Sequence, residues 1–71
     1  MRNEGFKLVD ESGKDIPLNT PFTLSRGEKV MLVSWEAPRH AASSGRVYVR
    51  FGDGGEMGYF PNVIGAKIVS A

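Results

Sequence analysis

The stretch that decides the fold is GRVYVRFGDGGEMGYFPNVIGAKIV, residues 45–69, because its apolar periodicity changes three times. From Arg46 to Phe51 apolar and polar residues alternate strictly, which is the period of a half-buried strand. A glycine-rich turn follows, then a second short strand that ends at Phe60-Pro61, and then a last apolar run. This order predicts a β-hairpin that ends at Phe60-Pro61, followed by a last strand that closes the sheet.

The alternation from Arg46 to Phe51 also predicts which side of that strand is buried. One face is wholly apolar and is expected to pack on the core, while the other is polar and is expected to face solvent. The buried set is Val47, Val49 and Phe51, and the solvent set is Arg46, Tyr48 and Arg50.

The glycine-rich segment between the two strands is interpreted as a turn rather than a ligand-binding loop. Asp53-Gly54 or Gly54-Gly55 supplies the hairpin, because these pairs tolerate the left-handed conformations that match strand twist. A calcium loop needs several acids at fixed offsets, and a phosphate loop needs a lysine followed by serine or threonine at the start of a helix. The segment has neither pattern, so no metal or other cofactor is expected. Pro61-Asn62-Val63 predicts a single 3-10 turn before Ala66 to Val69 closes the sheet.

The N-terminal half predicts further strands separated by loops. Phe6 to Val9 predicts a first strand, and the turn-rich residues 10–14 follow it. Lys29 to Trp35 is apolar on both faces, so we expect it to be the central strand, covered on both sides. Glu36 to Gly45 has no period and predicts a long loop. The two faces of the central strand are Val30 and Leu32 on one side, and Met31, Val33 and Trp35 on the other.

Length and cysteine content bound the fold. The chain has 71 residues, enough for one domain over residues 1–71 with a small core. It has no cysteine, which excludes a disulfide framework and cysteine-ligated zinc and fits a reducing cytoplasm. We expect a monomer or a weak homodimer, with Ile16 to Leu18 or Lys67 to Val69 as the edge that pairs.

The charge balance excludes some partners. Nine basic against eight acidic residues give a net charge of +1, so no global field argues for nucleic acid or an anionic membrane. The sequence has neither the apolar core of a signal peptide nor an apolar run near the roughly 20 residues of a membrane helix. It therefore predicts a soluble, cytoplasmic protein without a membrane partner.

Two motifs carry a resemblance to a known family. GEMGYFPNVIGAKIV resembles the C-terminal signature of Src-homology-3 (SH3) domains, in which a glycine, an aromatic, an apolar residue and a proline lead into a 3-10 turn and the last strand. PFTLSRGEKVMLV is similar to the stretch in that family where a Gly-acid turn leads into the second strand. The resemblance implies an all-β, single SH3-like barrel of about five strands with a non-catalytic binding role. GRVYVRF and FPNVIG also resemble small phage or prophage proteins, which implies an accessory role toward a host factor.

The same resemblance implies roles for individual residues. The family binds peptides in a groove lined by aromatic residues and a proline, and Tyr59 and Pro61 match its C-terminal motif. The tandem tryptophans of that groove are missing between Arg46 and Tyr48, and Val63-Ile64 replaces its tyrosine after the proline. A groove for PxxP peptides is therefore not expected. The acidic loop of the family is matched by Asp10, Glu11 and Asp15.

One local cluster combines basic and aromatic side chains. Arg46, Tyr48 and Arg50 share a strand face, and Arg39 and His40 lie in the neighbouring loop. Arginine with an interleaved aromatic suits phosphate contact and base stacking, as in small barrels that bind single strands. The alternative is a solvated strand face whose long side chains cover the pleat.

Trp35 and His40 are two further candidates for a functional role. Trp35 is either part of the core or a binding platform at the mouth of the long loop. His40 lacks a suitable nucleophile, since Ser43 and Ser44 lie in a loop, so no enzymatic activity is expected. Protein binding ranks above nucleic-acid binding because the net charge is near zero and exposed tyrosines are typical interface anchors. The candidate binding residues are Trp35, Arg39, His40, Arg46, Tyr48, Arg50, Tyr59 and Pro61, and no catalytic residue or metal ligand is expected.

Overall fold

Antiparallel strands account for the regular structure of this chain. The structure is a computed structural model, and it describes residues 5–40 and 43–71. Apart from the 3-10 turn, no helix occurs in these ranges, so the predicted all-β class and the turn before the last strand are confirmed. The elements are β1 (Phe6–Asp10), β2 (Pro21–Thr23), β3 (Lys29–Glu36), β4 (Arg46–Phe51), β5 (Glu56–Tyr59), a 3-10 turn (Pro61–Ile64) and β6 (Ala66–Ser70).

The strands form two hydrogen-bonded sheets. β1 pairs with β6, from Phe6 opposite Ser70 to Asp10 opposite Ala66. The second sheet has the order β2-β3-β4-β5, with each neighbouring pair antiparallel. No ladder joins the two sheets within the described ranges, so the strands counted here do not close into one barrel.

The core draws on both sheets and on the 3-10 turn. Val47 and Val49 are fully buried, as the alternation predicted, and Phe51 packs against the same cluster while remaining partly exposed. Arg46 and Arg50 are exposed and Tyr48 is half-buried, so the predicted faces of β4 are confirmed. The buried cluster consists of Leu8, Leu24, Val30, Leu32, Val47, Val49, Ile64 and Ala66.

The faces predicted for β3 are wrong in part. Met31 is 41% exposed, so the strand is not covered on both sides. The register with β4 shifts between Leu32 and Ser34, which leaves Val33 as the extra residue of a β-bulge. Because the ladder skips this residue, the odd–even alternation of faces along β3 reverses after it. Trp35 therefore lies on the side of the core, opposite Val47 in β4.

The turn between β4 and β5 lies where the sequence predicted it. The Phe51 N–H donates to the Gly55 carbonyl at 2.7 Å, and the Gly54 N–H donates to the Phe51 carbonyl at 3.0 Å. Gly54 has a φ of 92°, which a residue with a side chain adopts only with strain. The Asp53 carboxylate accepts from the Gly55 N–H at 2.8 Å, so this acid stabilises the turn.

A second glycine shapes the start of β4. Gly45 is buried with a φ of 79°, and a Cβ placed on it would lie 2.6 Å from both the Glu36 carbonyl oxygen and Ile68 Cδ1. Only glycine therefore lets the preceding loop enter β4 beside the end of β3.

Among the described residues, no helix has the length and apolar character needed to cross a membrane.

Candidate functional site

The side of the four-stranded sheet turned away from the core is called here the outer face. Alternation along β4 brings Arg46, Tyr48 and Arg50 to this side, and their cross-strand partners extend it. On β3 these partners are Glu36, Ser34 and Met31, and on β5 they are Gly58 opposite Tyr48 and Glu56 opposite Arg50.

Four of the predicted site residues meet at one end of the outer face. Arg39, His40, Arg46 and Tyr48 line an open pocket of about 290 Å³, called here the loop pocket. Glu36 also lines it, because β3 extends through this residue and only the following positions form the loop. The predicted long loop includes positions 41 and 42, which lie outside the described residues.

Two of the arginines are already paired with carboxylates. Arg50 Nη2 and Nε donate to Glu56 Oε2 at 2.8 and 3.1 Å, and Arg39 Nη2 lies 3.4 Å from Glu36 Oε1. Exposed pairs of this kind add only about 0.2–1 kcal/mol to stability. Their main effect is electrostatic, since each carboxylate cancels the positive charge that a phosphate would seek.

Arg46 makes a different contact. Its guanidinium carbon lies 5.0 Å from the centre of the Phe60 ring, within the range of a cation–π interaction. Phe60 is 55% exposed and extends the outer face beyond β5. Sequence reasoning missed this residue, although continuing the alternation of β5 past Tyr59 would have placed Phe60 on the same side as Gly58.

Tyr48 is held by its neighbour on β5. A Cβ placed on Gly58 would lie 2.9 Å from Cε1 and 3.2 Å from Cδ1 of Tyr48, so the ring packs directly over the glycine backbone. An aromatic ring over a strand glycine fills the space that a side chain would otherwise occupy. Tyr48 is therefore pre-positioned, which lowers the entropy lost when such a side chain becomes an interface anchor.

The other three predicted site residues lie elsewhere. Trp35 and Tyr59 pack against the core cluster, and the Tyr59 hydroxyl lies 3.6 Å from Met57 Sδ. For Trp35 this is the core alternative of the sequence prediction. Pro61 is buried at the start of the 3-10 turn and lines a separate groove of about 660 Å³, together with Phe60.

The far end of the outer face is apolar. A depression of about 350 Å³ is lined by residues of β2, β3 and β4, including Pro21, Met31 and Val33. Arg50 also lines it, so the Arg50–Glu56 pair borders this depression.

The acidic loop is a structural turn. Asp10 Oδ1 accepts from the Ser12 hydroxyl at 2.6 Å, the Ser12 N–H at 2.9 Å and the Lys14 N–H at 3.0 Å. These bonds, first of all the one from the Ser12 hydroxyl, lower the pKa of Asp10. Glu11 and Asp15 are exposed. Across the two described ranges, no three potential ligands come close enough to hold a metal ion.

No protein-family model, curated protein or solved structure matches this chain. The resemblance to SH3 domains therefore stays a prediction that rests on the two motifs.

Proposed function

We propose that this protein is a non-catalytic module that binds another protein through the outer face and the loop pocket. The observation that carries the proposal is the pairing of Arg39 and Arg50 with Glu36 and Glu56 beside aromatic and methionine side chains. Two of the three arginines are thereby neutralised and, among the described residues, only Arg46 keeps an uncompensated charge, so the face offers little net charge to a phosphate backbone. Protein interfaces, by contrast, are enriched in tyrosine, phenylalanine, methionine and arginine.

The arrangement of these side chains also suits a protein interface. Tyr48 stands near the middle of the outer face, fixed by its packing on Gly58. Phe60, 55% exposed, lies toward one end and Met31, 41% exposed, toward the other, so an apolar surface continues on both sides of the tyrosine. The anchor and its flanking contacts match the pattern of a buried hot spot with surrounding residues that exclude water.

The loop pocket defines the chemistry expected of the partner. Arg39 and Arg46 carry two positive charges there against the single carboxylate of Glu36. We infer that the partner presents a carboxylate at this end and apolar side chains over Tyr48 and Phe60. The resemblance to phage or prophage proteins extends the proposal to a host protein met in the cytoplasm.

Nucleic-acid binding is the second candidate. It is favoured by one observation, namely that Arg39, His40 and Arg46 line the same pocket as Tyr48. A single strand could stack a base on the tyrosine and place a phosphate near the arginines.

A pull-down with the purified chain from a nuclease-treated lysate tests the first candidate. We expect a protein partner that survives nuclease and is lost with Tyr48→Ala. Arg26→Ala should leave binding unchanged, because Arg26 forms a comparable exposed ion pair with Glu28 in the turn between β2 and β3 rather than on a strand of the outer face.

Titration with short single-stranded oligonucleotides tests the second candidate. If they bind at physiological salt and Arg46→Ala with Arg50→Ala flattens the salt slope by about 0.7–0.9 per lost contact, nucleic acid is the ligand and the proposal is wrong.

A further inference from the structure

We propose that two copies of this chain pair through their β5 strands, in antiparallel fashion, to form one sheet that continues across both copies. β5 is the last strand of the four-stranded sheet, and Glu56 and Met57 in it are exposed. An edge strand presents a row of backbone donors and acceptors that another strand can use. This inference concerns the backbone edge of β5 rather than the side chains of the outer face, and it does not depend on the proposed function.

The ladder with β4 shows which backbone groups of β5 point outward. The Phe51 N–H donates to the Gly55 carbonyl, so this pair is hydrogen-bonded. Pairs alternate between hydrogen-bonded and non-hydrogen-bonded along an antiparallel ladder. Met57 and Tyr59 therefore bond to β4, while Glu56 and Gly58 direct their N–H and C=O groups toward the edge.

The other sheet edges are less suited to pairing. β2 has three residues and begins with Pro21, which has no N–H to donate. The far side of β1 is occupied, since the Ile16 N–H donates to the Leu8 carbonyl at 3.0 Å. β6 carries Lys67 in mid-strand, a charge that natural edge strands use against pairing. The edge that we expect to pair is therefore β5, in place of residues 16–18 or 67–69.

The side chains of β5 fit a two-fold register centred on Met57. In this register Glu56 lies opposite Gly58 of the second copy, and Tyr59 lies opposite Gly55 of the second copy. Glu56 and Tyr59 thus each face a glycine, which leaves room for them on their own sides of the sheet. Met57, 53% exposed in the single chain, lies opposite Met57 of the second copy and becomes covered.

The charges in this register do not oppose pairing. Glu56 is the charged residue of β5, and Arg50 of the same chain holds its carboxylate at 2.8 Å. The charge of each Glu56 is therefore already neutralised where the two β5 strands meet. Pairing adds about four backbone hydrogen bonds and covers two methionine side chains. These contacts stabilise a cysteine-free chain of 71 residues whose own core is small.

The register predicts a specific cross-link. Met57 and its symmetry mate form a non-hydrogen-bonded pair, in which the Cα atoms lie about 4.5 Å apart. This separation is within the range of a disulfide bond. In the full chain with oxidised glutathione, Met57→Cys should form a disulfide-linked dimer much faster than Met31→Cys. Met31 is the matched control, since it is an exposed methionine that lies on the outer face rather than at the edge.

Sedimentation equilibrium over a concentration series tests pairing without the cross-link. As the protein concentration is raised toward about 1 mM, we expect the measured mass of the unmodified chain to rise from that of a monomer toward that of a dimer. Glu56→Pro removes one outward N–H and should give monomer, whereas Glu56→Ala loses the pair with Arg50 but keeps the N–H and should still associate. Met57→Lys should also give monomer, and it serves if Glu56→Pro does not fold. A monomer at every concentration, or equal cross-linking of the two cysteine variants, would overturn the proposal.

Discussion

Two adjacent residues of β4 provide a sharp test of the fold. Val49 is 0% exposed within the core cluster, and Arg50 is exposed on the opposite side of the strand. An aspartate at position 49 would bury a carboxylate among apolar side chains, at a cost of several kcal/mol. Natural domains have about 0.05–0.15 kcal/mol of stability per residue, which gives about 4–11 kcal/mol for this chain of 71 residues. Val49→Asp should therefore remove most or all of the stability.

Arg50→Asp is the matched control, because it introduces the same side chain one position away. It loses the pair with Glu56 and places two carboxylates together, both largely in solvent, so we expect a loss of at most about 1 kcal/mol. Urea unfolding followed by circular dichroism would measure both variants. Equal unfolding midpoints for the two variants would show that the faces of β4 are assigned incorrectly.

Three further predictions test individual contacts. Gly58→Ala should displace the Tyr48 ring, since the new Cβ would lie 2.9 Å from its Cε1. The free energy of partner binding, measured by calorimetry, should then weaken by more than the free energy of unfolding, measured by thermal melts. Gly45→Ala should cost about 1–3 kcal/mol in urea unfolding because φ is 79° and the Cβ meets backbone, whereas Gly52→Ala, which has open space around it, should cost less. Asp10 has a lowered pKa in the folded chain, so its stabilisation is present above its unfolded value of 3.8 and is lost as pH falls through the lowered value. Asp10→Asn should therefore be less stable than the unmodified chain at neutral pH, and thermal melts should converge below that range; a gap that stays constant with pH would contradict the assignment.

Local patterns were sufficient to predict β4, its turn and the 3-10 turn. The faces of β4 follow from strict alternation, and the conformation of Gly54 follows from its own chemistry. Each of these signals lies within a few neighbouring residues. None of them depends on which strand lies beside β4, so these three elements could be predicted from the sequence alone.

The bulge at Val33 could not be predicted in the same way. It is defined by the register between β3 and β4, because two residues of one strand oppose one residue of the other. Apolar residues at both odd and even positions of β3 are compatible with two covered faces or with a face change along the strand. Only the pairing with β4 distinguishes these alternatives.

The composition of the candidate site also depends on register. Glu56 reaches Arg50 from β5, and Glu36 lies opposite Arg46 at the end of β3. The sequence predicted the cationic and aromatic members of the site, but the carboxylate that neutralises Arg50 comes from the neighbouring strand β5. The change from a basic to a neutral site at Arg50 is therefore a property of the sheet, whereas the pair of Arg39 with Glu36 joins residues three positions apart in one segment.

The bulge at Val33 decides the environment of Trp35 through a pairing offset rather than through any side chain. If every residue of β3 paired with β4 in a regular ladder, Ser34 would lie opposite Val47 and Trp35 opposite Arg46, and the indole would turn to the outer face. Deleting Val33 would remove the bulge and leave Trp35 opposite Val47 on the core side. The extra residue therefore acts as a spacer that the ladder skips, and a slip in pairing, without any substitution, would convert a core aromatic residue into a surface one.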